Sequence, residues 1–259
     1  MYPGKYAIQH PDRAAIIMAE SGETISYAEL EERANRLAHL LRDHGLQRLD
    51  HFSVFMENNS RYQECSAAGE RSGLYYTCVN SYLQADELAY ILNNSESKIL
   101  ITSADRLSVA LKALTQAPNI IKCLVVGGDG DTPTVLNYEE AVAAYPATPI
   151  ADECEGTSML YSSGTTGQPK GILRPFEVVG PGEALPLLEF LSGLWHYRED
   201  MIYLSPAPLY HSAPQTAVNL TIRKGGTAVI MERFDPEFFL ELLGRYKITH
   251  TQLVPTMFS

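Results

Sequence analysis

Short apolar runs rich in Val, Ile and Tyr recur along the chain with amphipathic stretches between them, and that alternation leaves few folds open. Residues 51–56, 75–79, 98–102 and 122–126 read as strands, with helices predicted between them at 61–71, 86–93 and 105–115. Strands that alternate with helices need crossover connections, so the sheet they build is mostly parallel. Upstream, Ser26 followed three residues later by Glu29 is a capping box. Leu30, Ala34, Leu37 and Leu41 then recur at helical spacing until Gly45. Residues 127–155 turn Gly-, Pro- and Asp-rich and read as a loop-rich connection with one short helix at 138–145. The alternation resumes with strands at 201–204, 227–231 and 250–254, and Asp235-Pro236-Glu237 opens a helix through Lys247. The expected fold class is α/β, in approximate halves 1–155 and 156–259.

Composition narrows the function. With 259 residues, 45% of them hydrophobic and 20% charged, the chain can bury a sizeable core and is not disordered. A formal charge of −11 argues against a sequence-independent grip on nucleic acid or anionic lipid, so a polyanionic ligand needs a local site. Cys65, Cys78, Cys123 and Cys154 are widely spaced, with no C-x-x-C and no histidine at zinc-like spacing, so no metal site is expected. They read as reduced thiols of a cytoplasmic protein. Residues 1–13 lack the apolar stretch of a signal peptide. No transmembrane segment is predicted, since Pro186 and Glu189 break the most apolar helix candidate.

One segment carries chemistry. In Ser158-Met159-Leu160-Tyr161-Ser162-Ser163-Gly164-Thr165-Thr166-Gly167-Gln168-Pro169-Lys170-Gly171-Ile172-Leu173-Arg174, apolar residues flank a run of hydroxyls, glycines and a lysine. Glycines let a backbone approach a ligand closely, and consecutive N–H groups form an anion nest. Four hydroxyls add donors, and Lys170 adds a full positive charge on a flexible stem. Such a loop suits a polyphosphate. It is not a Walker A loop, because Pro169 stands where the second glycine belongs and Gly171 where Ser or Thr should bind magnesium. Ile172 and Leu173 look strand-like, so the loop is expected to join two strands.

Tyr161 to Gly171 resembles the signature loop of the adenylate-forming superfamily, which includes acyl-CoA synthetases, 4-coumarate-CoA ligases, luciferases and nonribosomal-peptide adenylation domains. The resemblance implies nucleotide binding by Ser162, Ser163, Gly164, Thr165, Thr166, Gly167 and Lys170, with Lys170 and Thr165 acting in catalysis. Downstream, Ser205-Pro206-Ala207-Pro208-Leu209-Tyr210-His211-Ser212-Ala213-Pro214 is similar to the family's proline, hydrophobe, aromatic, histidine segment. By that similarity His211 is a catalytic residue near the bound carboxylate, and Tyr210, His211 and Ser212 are substrate-binding. Physically, a neutral imidazole can donate a hydrogen bond to a carboxylate while its carbon edge packs on an apolar tail. Thr24 to Leu30, Ala34 to Ala38, Arg71 to Gly73 and Leu88 to Leu92 are similar to earlier parts of these synthetases, where they are helix caps and core faces.

The resemblance implies a fold and a reaction. The fold is the N-terminal body of an acyl-CoA synthetase, two packed, mostly parallel sheets with flanking helices. The reaction joins a carboxylate to ATP with Mg²⁺, then transfers the acyl group to coenzyme A. An apolar acid is favoured by Tyr210 to Ala213 and by the aliphatic stretch Leu185 to Leu191. Motifs that such synthetases carry further along, including the small C-terminal lid domain, have no counterpart before Ser259. A truncated chain with an open sheet edge and a tendency to form a homodimer is therefore expected, its residual activity being left open by the sequence. Two alternatives stand beside this reading: a non-catalytic nucleotide or acyl binder, and an adenylation domain that loads a carrier protein.

Overall fold

Parallel pairing between strands far apart in the chain produces two sheets. The computed structural model describes residues 2–130, 132–161, 168–175 and 178–258. Among these there are twelve strands and nine α-helices. Two strands come first, β1 (Ala14–Met18) and β2 (Thr24–Ser26). Seven follow: β3 (His51–Phe55), β4 (Tyr75–Cys78), β5 (Ser97–Ser103), β6 (Lys122–Val126), β7 (Val135–Asn137), β8 (Thr157–Tyr161) and β9 (Gly171–Ile172). The last three are β10 (Ile202–Ser205), β11 (Thr227–Ile230) and β12 (His250–Thr251). The helices are α1 (Gly4–Gln9), α2 (Tyr27–Asp43), α3 (Tyr62–Arg71), α4 (Ala85–Asn94) and α5 (Leu107–Leu114). After them come α6 (Tyr138–Ala143), α7 (Pro186–Leu194), α8 (Ser212–Arg223) and α9 (Pro236–Arg245). None of them is long and apolar enough to cross a membrane.

The chain groups into two compact units. The first comprises Met1–Glu31, Asn58–Gln63 and Gly182–Ser259, the second Glu32–Glu57 and Glu64–Pro181. In the first, a five-stranded sheet has the order β12-β10-β11-β1-β2, parallel except for the β1/β2 pair. Phe239 and Leu242 of α9 cover the face formed by Leu204, Val229 and Met231, and α8 lies against β10 and β11. Asp235 caps α9 by accepting the Phe238 N–H at 2.8 Å. The capping box that opens α2 is reciprocal: Ser26 N–H donates to Glu29 at 2.8 Å, and Glu29 N–H donates to the Ser26 hydroxyl at 3.2 Å.

The second unit is a seven-stranded sheet of order β7-β6-β5-β3-β4-β8-β9, parallel except for β8/β9. β4 is fully buried and β3 and β5 nearly so, as in a parallel sheet covered on both faces, and hydroxyls within β3 and β5 are paired: Ser53 with Ser97 at 2.7 Å, and Thr102 donating to the Phe55 carbonyl at 2.8 Å. Leu88 and Leu92 of α4 and Ala110 and Ala113 of α5 pack with Phe55, Leu100 and Val125. Glu64 is wholly buried, yet Arg33 pairs with it and the Tyr138 hydroxyl donates to it at 2.9 Å, so its charge is not left alone.

The structure adjusts several predicted boundaries. The strand expected at 250–254 is only His250–Thr251, since Pro255 has no N–H to continue a ladder and opens a 3₁₀ turn. The helix expected from 105 begins as a 3₁₀ turn, Ala104–Arg106, before α5. Within the loop-rich stretch 127–155, β7 adds an edge strand parallel to β6.

Candidate functional site

Both segments singled out in the sequence leave the carboxyl ends of parallel strands, where open α/β sheets bind ligands. The first leaves β8, which runs parallel to β4 with Tyr76 opposite Ser158 and Thr77 opposite Met159. It returns as β9, antiparallel to β8, with Tyr161 opposite Gly171. The two strands expected on either side of the segment are therefore present, paired with each other. Ser162, Ser163, Gly164, Thr165, Thr166 and Gly167 lie outside the described residues. Lys170 is exposed and immediately precedes β9.

Tyrosines fix the two stems of this loop. The Tyr161 hydroxyl donates to Asn94 Oδ1 at 2.7 Å, and the Tyr90 hydroxyl donates to the Pro169 carbonyl at 3.1 Å. Tyr90 and Asn94 are four residues apart on α4, hence on one face, so a single helix turn holds the chain entering the loop and the chain leaving it. A third tyrosine, Tyr75, donates to the Arg174 carbonyl at 2.8 Å. Burial pushes the Tyr161 phenol up to about 12, with Tyr90 adding to the effect, so it stays a neutral donor at physiological pH. A Cβ at Gly171 would meet the terminal methyl of Met159, a flexible end that can swing aside, and lie 3.1 Å from the Tyr161 ring. Tyr75, Tyr90 and Asn94 were not among the residues the sequence marked.

The second segment leaves β10. The Tyr210 and His211 rings lie 4.4 Å apart and tilted, His211 is the residue before α8, and Ser212 is its first residue. The His211 carbonyl accepts the Gln215 N–H at 3.2 Å, the opening bond of that helix. His211 is exposed by area, but the surrounding chain removes enough water from the imidazole for burial to lower its pKa below the ordinary value. The ring is therefore neutral at pH 7 and able to donate one hydrogen bond. Tyr210, His211 and Ser212 are thus brought together in one turn of the first unit, whereas Lys170 belongs to the second. On α7, Leu187 and Phe190 are 58% and 65% exposed, so those two members of the aliphatic stretch face solvent. Among the described residues no group of three or more His, Cys, Asp or Glu is placed to hold a metal ion.

Residues 5–259 match the AMP-binding enzyme family. The chain belongs to that family. Its AMP-binding relatives include the crotonobetaine/carnitine–CoA ligase of Citrobacter koseri, 27% identical over 95% of this chain and 48% of that protein. They also include a medium/long-chain-fatty-acid–CoA/3-oxocholest-4-en-26-oate–CoA ligase of Mycobacterium tuberculosis, 28% identical over 92% of this chain and 46% of that protein. Among solved structures, ATP-bound MatB from Rhodopseudomonas palustris superposes with a TM-score of 0.75 at 26% identity, over 99% of this chain and 50% of MatB. The chain spans about half the length of the curated relatives it matches.

Proposed function

We propose that this chain supplies the nucleotide-binding loop and a carboxylate-binding histidine to an acyl-CoA ligase acting on a fatty or otherwise apolar acid. The single observation behind the reading is the Ser/Thr/Gly/Lys sequence between β8 and its antiparallel partner β9, in a chain that matches the AMP-binding family over residues 5–259. ATP bound to MatB and the fatty and steroid acids named for the Mycobacterium relative support the substrate classes.

In the proposed reaction a carboxylate oxygen attacks the α-phosphorus of ATP and the bond to the β,γ-pyrophosphate breaks, giving an acyl-adenylate. The thiolate of coenzyme A then attacks the acyl carbon and AMP leaves. Mg²⁺ enters with ATP as part of the substrate. Charge develops on the departing pyrophosphate, and donors aimed at it lower the barrier most. The seven loop residues from Ser162 to Gly167 and Lys170 are assigned that task. Neutral His211 donates to the substrate carboxylate, and Tyr210 and Ser212 flank it. The four cysteines are buried thiols, in keeping with a cytoplasmic location.

Lys170 carries the test. A charge-assisted hydrogen bond contributes about 1.5 to 3 kcal/mol, so Lys170→Ala should weaken ATP binding by this chain and, in a complete ligase, slow pyrophosphate release with decanoate by roughly ten- to a hundredfold. Titration calorimetry with ATP and a coupled pyrophosphate assay provide the readouts. ATP binding that is unchanged in the variant would remove Lys170 from the site.

A further inference from the structure

The turn that carries Tyr210 and His211 is poor in its own hydrogen bonds. Pro206 and Pro208 have no N–H to give, and the bond from His211 N–H to the Pro208 carbonyl is 3.2 Å. Its anchor comes from 149 to 173 residues away in the sequence. Asn58, 7% exposed, accepts the buried Leu209 N–H at 2.8 Å, donates to the Met231 carbonyl at 2.9 Å, and donates to the Ala207 carbonyl at 3.2 Å. Met231 directly follows β11, and 207–209 follow β10, so one amide ties the carboxyl ends of two adjacent strands to each other. All of these residues belong to the first unit.

We infer that Asn58 is the positioning residue for the His211 turn, fixing where the imidazole is presented to the carboxyl group of the acid. The inference rests on the proposed role of His211 as a carboxylate donor. An amide suits the place because it alone among uncharged side chains offers a carbonyl acceptor and two N–H donors together. Alanine would leave a buried N–H and a buried carbonyl without partners. Aspartate would set a carboxylate against two carbonyl oxygens. Glutamine carries an extra methylene into a closed space.

The test uses the 259-residue chain with Asn58→Ala, and Asn58→Ser as a milder second variant that keeps one hydroxyl. Amide hydrogen exchange followed by NMR should show the Leu209 N–H losing protection at least tenfold while Val229 and Leu204, within the sheet, keep theirs. In the folded variants the His211 titration midpoint should rise toward the ordinary imidazole value as the turn takes up water, and Asn58→Ser should fall between wild type and Asn58→Ala. A purely structural role would lower the melting temperature and free the Leu209 N–H, whose acceptor is Asn58 itself, while leaving the His211 midpoint where it is, and that result would overturn the inference. Decanoate titrations separate this from the function itself. If His211→Ala binds decanoate as wild type does, the carboxylate role of His211 fails whatever Asn58 does. If His211→Ala weakens binding and Asn58→Ala does not, the positioning role fails alone.

Discussion

Gly156 stands where the backbone leading into β8 crosses the loop between α3 and β4, and adding one methyl group there should be among the most damaging changes to this chain. A Cβ at Gly156 would press on the Gly69 carbonyl, lie 2.6 Å from the Leu74 carbonyl oxygen and 2.8 Å from the Leu74 nitrogen. All three obstacles are backbone and none can swing aside. Relief requires β8 to move, and the bonds in its path are Gly156 N–H to the Glu70 carbonyl at 2.6 Å and Thr157 N–H to the Leu74 carbonyl at 3.0 Å. Two hydrogen bonds at about 1 kcal/mol each, with overpacking of about 1 to 3 kcal/mol, give a loss of roughly 3 to 5 kcal/mol for Gly156→Ala. For a chain of this size that lowers the melting temperature by about 6 to 20 °C. Gly193→Ala is the control, since nothing lies within 4 Å of a Cβ on that helical glycine of α7. It should stabilise, by up to about 1 kcal/mol. Thermal melts followed by far-UV circular dichroism give both shifts. If Gly156→Ala melts within about 2 °C of wild type, or the two variants shift alike, the close approach is not what selects glycine at 156.

The buried Tyr27 hydroxyl donates to the Gly226 carbonyl at 2.7 Å and reaches the Ile222 carbonyl at 3.0 Å. Tyr27→Phe should therefore cost about 1 to 2 kcal/mol in urea unfolding, and an unchanged midpoint would show that water replaces the hydroxyl. Stability should also depend on mild acid. His44, His51, His211 and His250 are held below the ordinary imidazole value of 6.5, in each case chiefly by burial. The unfolded chain takes up protons near that pH while the folded chain does not. Their contribution is thus present above about 6.5 and is lost as the pH falls through their lowered folded values. Melting temperatures that stay level from pH 7.5 to 5.5 would count against it.

Local signals in the sequence carried most of the second unit. Its inner strands are short runs rich in apolar and β-branched residues flanked by helices, and in the first unit the capping box at Ser26 and Glu29 and the Asp235 cap are local chemistry that needs no tertiary context. What escaped depends on distant partners. Ala14–Met18 becomes a strand through pairing with β11, Ile16 opposite Ala228, and Thr24–Ser26 is too short to show an alternation of its own. Val135–Asn137 is likewise short and sits among turn formers. The loop's composition announced a phosphate site, but its supports did not: Tyr90 reads as one more apolar position of α4, and only the fold reveals that its hydroxyl reaches Pro169. Asn58 carried no signal at all, being an asparagine in a polar run whose partners come about 150 residues later.

That first sheet has a consequence for how the protein is made. β1 finds its parallel neighbour only when Thr227–Ile230 has been synthesised, roughly 210 residues later. At about 5 to 20 residues per second a ribosome needs on the order of 10 to 40 seconds to cover that distance. For that interval Ile16, Ile17 and Met18 have no β11 to pair with, and a chaperone that shields the emerging β1 segment should raise the yield of native protein more than one that acts only after β11 has been made.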